Sequence, residues 1–175
     1  MINKLVYMLF SQLVLIFLQL ELGSWGWTLP LAMLGALYLV LAFGRSWGCA
    51  AALFNAVILA SLYGSWSYLY IVINPLLAGM LGWWIDRHDE DVRPDFWLPG
   101  AVAGCCGAIP ALTQQCLSWS SSGDYSPALA WLLLRMLWSM ALSAWLFEAF
   151  IIFNEALAEY LGLPRFFTRK GGQAR

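Results

Sequence analysis

The sequence predicts an all-α membrane protein, a bundle of six transmembrane helices with both termini in the cytoplasm. Three observations carry that prediction. Of 175 residues, 62% are hydrophobic and 11% are charged, against roughly 45–50% and about 25% in soluble domains. A chain this short has too little interior for so much apolar surface, so the surplus must face lipid. The apolar residues gather into six runs, each near the ~20 residues that cross about 30 Å of hydrocarbon. The basic residues fall almost entirely on one side of those runs. Such a composition excludes a soluble enzyme and a disordered tail. The net charge of -1 supplies no basic field for nucleic acid.

The first run, Leu5–Leu22, follows Lys4 in the manner of a secretory signal. Gln19, Leu20, Glu21 and Leu22 stand where a small-residue cleavage site belongs, so it reads as a retained span. The second, Trp27–Phe43, places Pro30 in its first turn, where the missing N–H costs little. Gly44-Arg45-Ser46 leads to the third, Trp47–Tyr63, and Gly64-Ser65 to the fourth, Trp66–Ile85. Links this short make spans two to four antiparallel neighbours. The fifth is Phe96–Leu117. The sixth starts at Pro127 and stays apolar to Phe153, with its helix continuing to Leu161, which predicts tilt or a cytoplasmic overhang. The longer links, Asp86 to Asp95 and Ser118 to Ser126, have no room for a soluble domain, so residues 1–175 read as one domain.

Topology follows from charge. With the first residue inside, the inner segments hold Lys4, Arg45, Arg87, Arg93, Arg165, Arg169, Lys170 and Arg175, eight of the nine basic residues. The outer segments carry Glu21 and Asp124. This is the positive-inside pattern, and a five-span reading breaks it. Trp25, Trp27, Trp47, Trp66, Trp83, Trp84, Trp97 and Trp119 sit near span ends, where amphipathic rings favour the headgroup layer.

Polar residues inside the spans are the candidate functional groups. Arg135 lies about 12 Å into span six, where a lone cation costs several kcal/mol. It either snorkels outward or pairs with Glu21, Asp124, Gln114 or Gln115. Glu148 lies in the inner third of the same helix, about 20 Å from Arg135. Glu148, Glu155 and Glu159 share roughly one face, and the last two are expected in interfacial water. Asn55 and Asn74 are mid-membrane amides. Pro75 frees the Ile71 carbonyl and predicts a kink, with an amide bonding across a helix interface or lining a substrate site at a broken helix. The run Asp86-Arg87-His88-Asp89-Glu90-Asp91 has no metal-ligand spacing and reads as solvated. Cys49, Cys105, Cys106 and Cys116 read as small apolar residues. No phosphate loop, nucleophile elbow or HExxH is present, so the chain is read as non-enzymatic, with no catalytic, cofactor-binding or metal residues.

Small residues form stripes at every fourth position. Ala52, Ala56, Ala60 and Gly64 line span three; Ala78 and Gly82, with Gly79 beside them, line span four; Gly100, Gly104 and Ala108 line span five. Such stripes let helices approach closely, either inside the bundle or against another subunit. Ala52, Ala56, Ala60, Gly64, Ala78 and Gly82 are the expected partner-docking seam.

This pattern resembles MreD, the small membrane subunit of the bacterial rod-shape machinery. The likeness is closest from span two through span four. It is carried by the basic turn Phe43-Gly44-Arg45-Ser46, by the small-every-fourth span from Ala52 to the Gly64-Ser65 turn, and by Ala78-Gly79-Met80-Leu81-Gly82. Two positions depart from the family: Ala60 stands where many members carry an acid, and Trp66-Ser67-Tyr68 replaces their Pro-Leu-Gly. The resemblance implies a non-enzymatic scaffold of the inner membrane. It would bind a single-span partner of the MreC type and place cell-wall synthases relative to the MreB filament. The basic tail from Arg165 would meet anionic membrane lipid or a cytoplasmic partner. The rival is a substrate-binding subunit of an energy-coupling-factor vitamin transporter, with Arg135, Gln114 and Gln115 in an outer pocket. Against it, the Gly64-Ser65 link is very short, and those proteins usually carry the Ala stripe on the first span.

Overall fold

A helix that is apolar on every side has no face to give to water and lies either in a protein core or against lipid. Leu31–Phe43 is such a segment, and the architecture is built around it. The computed structural model describes residues 2–25, 27, 29–63, 68–87, 97–120 and 126–162, with side chains at 4–25, 27, 29–62, 68–87, 97–109 and 130–162. The elements are helices α1 (Ile2–Ser24), α2 (Leu31–Phe43), α3 (Arg45–Tyr63), α4 (Tyr68–Arg87), α5 (Trp97–Ser120) and α6 (Ser126–Tyr160). The described residues thus form an all-α bundle of six helices. Four of them, α1, α3, α4 and α6, are long and apolar enough to cross a membrane. Their outward faces carry large apolar side chains such as Phe10, Phe17, Val72, Leu137 and Ile152. Together these features make the chain a multi-pass integral membrane protein.

Helix α2 is the hub. Its residues Ala32 to Ala42 are all buried, and it packs against each of the other five helices. Those five form a ring in which α1 meets α3, α3 meets α4, α4 meets α5 and α5 meets α6. From α6 the ring returns to α1 through a hydrogen bond from Tyr7 Oη to Asn154 Oδ1 at 2.8 Å. The start of α1 and the end of α6 therefore lie at the same end of the bundle.

Three expectations change. The second span starts at Leu31 rather than Trp27, and Pro30 caps the helix from outside. Leu29 and Pro30 are buried there, and the Pro30 carbonyl accepts the Leu34 N–H at 3.0 Å. With 13 residues, α2 is about 20 Å long, short of the ~30 Å of hydrocarbon. The link to α3 is one residue, Gly44, at φ 98°, a conformation open to glycine and costly for other residues. Its N–H bonds back to the Val40 carbonyl at 3.0 Å. Helix α4 runs unbroken through Pro75, so it offers no broken-helix site; the Pro75 carbonyl lies 3.9 Å from Cys49 Sγ.

The most extensive helix pair is α5 with α6, and glycine is the reason. A Cβ at Gly104 would stand 2.6 Å from the Ser139 carbonyl oxygen and 2.9 Å from Met140 Cα. At Gly100 it would stand 2.6 Å from the Ser143 carbonyl oxygen. The two backbones touch along this stripe, and Ser139 Oγ donates to the Gly104 carbonyl at 3.2 Å. Gly104→Ala must push the backbones apart, at a cost of about 1–3 kcal/mol. A thermal melt in mild detergent is expected to fall by several degrees. Gly79→Ala is the control, because its new Cβ would find its nearest neighbours at 3.9 Å, and it should melt with the parent protein.

Candidate functional site

Enclosing α2 buries the polar ends of its backbone as well as its side chains. The first N–H groups of a helix have no partner within it. Gln19 of α1 meets this need: its Oε1 accepts the Ala32 N–H at 3.1 Å. Asn55 of α3 approaches the same turn. Its Nδ2 donates to the Ala32 carbonyl at 2.8 Å and to Gln12 Oε1 of α1 at 2.7 Å. Gly35 makes room, since a Cβ there would lie 3.0 Å from Gln12 Nε2. One amide thus ties α1, α2 and α3 into a single register. Asn55 Oδ1 is buried with no hydrogen-bond partner among the described residues, which reduces the net gain from the cluster.

A second polar cluster sits nearer the Phe43 end. Tyr38, in the hub, donates to Glu155 Oε1 of α6 at 3.2 Å. The neighbouring Asn154 accepts from Tyr7 and donates from Nδ2 to the Phe150 carbonyl at 2.8 Å. Glu155 is buried, a correction to its expected place in interfacial water. The buried stripe of α6 runs through Ser143, Phe147, Ile151, Asn154 and Ala158, and Glu155 flanks it where Tyr38 covers that flank. Glu148 and Glu159 remain exposed.

The small-residue stripes are occupied from within. Ala52 packs in the main core with α2 and Ala78. Ala56 packs with Leu15, Ile16 and Ala32. Ala60 is buried, and Gly82 lies under the Arg45 stem, where an added Cβ would stand 2.8 Å from Arg45 Cγ. These five members of the expected docking seam therefore face helices of their own chain. Gly64 lies outside the described residues, as do His88 and Asp124 and the side chains of Gln114 and Gln115. Asn74 is buried in α4. Arg135 is partly buried and takes part in interactions within the chain. Glu148 faces outward on α6 between the exposed Trp145 and Ile152.

The residues that clamp the hub are mostly ones the sequence reading did not single out: Tyr7, Gln12, Gln19, Tyr38 and Asn154. One signal was present. Gln12 and Gln19 are seven residues apart in an otherwise apolar run, which places two amides on one helix face.

Grooves open on the side of the bundle among the described residues. One, of about 590 Å³, lies between α1 and α6. Another, of about 210 Å³, lies between α4 and α5, with Leu37 of the hub in its lining. No family model, curated protein or solved structure matches the chain significantly.

The clamp makes a quantitative prediction. Asn55→Ala and Gln12→Leu each remove one side of the α1–α3 bond. In a double-mutant cycle read by unfolding in detergent, their coupling is expected near 0.6 kcal/mol, the average for interhelical polar pairs in membranes. Purely additive losses would show that the two amides do not act together.

Proposed function

We propose that this chain is a non-enzymatic scaffold subunit of the bacterial cell-elongation machinery, seated in the inner membrane and docking a single-span MreC-like partner. The observation that carries the reading is Glu148. It is exposed on the outer face of α6, among Trp138, Trp145 and Ile152, each more than half exposed. A carboxylate turned toward hydrocarbon is costly, and a partner span carrying a cation or an amide at the same depth removes that cost. The small-residue seam of α3 and α4 is filled internally, so the partner docks on α6 instead.

Other features support the same assignment. The hub fills the axis of the bundle with side chains, where a carrier would place its substrate. Lys4, Arg45 and Arg87 lie at one end of the bundle: Lys4 Nζ is 5.6 Å from the Phe43 ring centroid, the Arg45 stem covers Gly82, and Arg87 lies over Trp83. We assign that end to the cytoplasm, with six crossings and both termini inside. The turn at Phe43-Gly44-Arg45-Ser46 and the Ala78-Gly82 segment carry the likeness to MreD.

Affinity capture from native membranes in mild detergent, read by mass spectrometry, tests the assignment. Recovery of a single-span coiled-coil protein with cell-wall synthases is the expected result. Recovery of a coupling membrane subunit with two ATPases would replace this assignment by the vitamin-transporter one. Glu148→Leu is expected to lower partner recovery roughly three- to fifteen-fold, the range that one interhelical polar contact spans. Glu148→Gln should retain most of it. Reporter fusions at Glu21 and Asp124 should read outside, and fusions at Asp91 and Arg175 inside.

A further inference from the structure

The ring around α2 closes differently at α1 and α6 than elsewhere. Here a hydrogen bond, Tyr7 to Asn154, bridges the two helices, and the 590 Å³ groove opens beside it. That volume falls within the ~300–1,000 Å³ usual for ligand sites. The groove walls are apolar, with Val6, Phe10 and Val14 on one side and Phe153 and Leu157 on the other. Its three polar side chains direct donors into the protein: Tyr7 to Asn154, Ser11 to the Met8 carbonyl at 3.1 Å, and Asn154 to the Phe150 carbonyl. What occupies the groove must therefore be hydrocarbon along its length.

Height and charge identify the occupant. Along α1 the lining runs from Val6 to Leu15, about 14 Å at 1.5 Å per residue. That is close to half of the ~30 Å hydrocarbon core, the depth of one leaflet. A partner helix needs a surface about twice as tall. Lys4 stands one turn beyond Tyr7 on α1, below the lining, half-buried with its ammonium over the Phe43 ring. On the α6 side, Glu155 is turned to Tyr38, and Glu159 stands about 200° around the helix from Leu157. One turn beyond the lining, α1 therefore carries a cation at headgroup height.

From this arrangement we infer that the α1/α6 groove is a binding site for an anionic phospholipid of the inner leaflet, with one acyl chain along Phe10 and Phe153 and the phosphate at Lys4 Nζ. The lipid completes the ring where no close helix pairing does. This site rests on the cytoplasmic placement of the Lys4 end proposed above, and it is independent of the partner face on the outside of α6 and of the scaffold role.

Native mass spectrometry of the full-length protein in mild detergent, titrated with phosphatidylglycerol or phosphatidylcholine, tests the site. One phosphatidylglycerol should be retained per chain in preference to phosphatidylcholine. Lys4→Gln should reduce that preference about fivefold, while Lys170→Gln in the basic tail should leave it unchanged. Val14→Trp and Val6→Trp, both at exposed positions in the groove wall, should abolish retention of either lipid without lowering the melting temperature. Equal retention of both lipids, or a preference that follows Lys170 rather than Lys4, would overturn the assignment. So would retention that survives both tryptophan variants.

Discussion

Everything in this bundle depends on enclosing α2. A helix made of Leu, Ala, Met, Val, Phe and Gly, with a single Tyr, gains from contact on every side. In a membrane that gain comes from packing rather than from escape from water, since lipid tails are as apolar as leucine. Close packing around all of α2 requires five neighbours, and the chain supplies five. Side chains of neighbouring helices also meet the polar groups of the hub. Gln19 and Asn55 reach the first turn, and Tyr38 carries the one polar atom of the hub side chains to Glu155.

These polar contacts set register more than they add stability. Each is worth of the order of 0.6 kcal/mol in a membrane, less than the packing lost when two helix backbones are forced apart. Their value is directional. Apolar helices can slide and rotate against each other with little penalty, whereas an amide in hydrocarbon has few acceptable partners. Asn55 serves α1 and α2 at once, so a shift of either helix breaks a bond. At α5 and α6 the same specificity comes from shape. Gly100 and Gly104 admit backbone contact at one register only.

The division between inside and outside follows from this economy of contacts. Small residues are drawn to interfaces where backbones meet, and the hub supplies several such interfaces within one chain. The stripes Ala52-Ala56-Ala60 and Ala78-Gly82 are consumed there. Larger side chains cover the outer surface, and the features that stand out on it are Glu148 on α6 and the groove beside Tyr7. An outer surface of this kind suits lateral contacts within the membrane.

The sequence by itself determined the class of the molecule. Composition demanded a membrane, six apolar runs predicted six helices, and the short links between Phe43 and Tyr68 predicted neighbouring hairpins. Asn55 was legible as a candidate interhelical amide because an amide in hydrocarbon has few acceptable partners. Only the tertiary structure decided which helix is central and which residues face inward. Periodicity cannot give this for α2, since a segment apolar on all sides has no preferred face. It also misled at Glu155: Glu148 and Glu155 share a helical face by spacing, yet one is exposed and the other buried, because Tyr38 covers only the second. Burial is a property of what stands opposite a residue. That partner, in α1, α2 or α6, lies up to 147 residues away in the chain, beyond the reach of any local pattern.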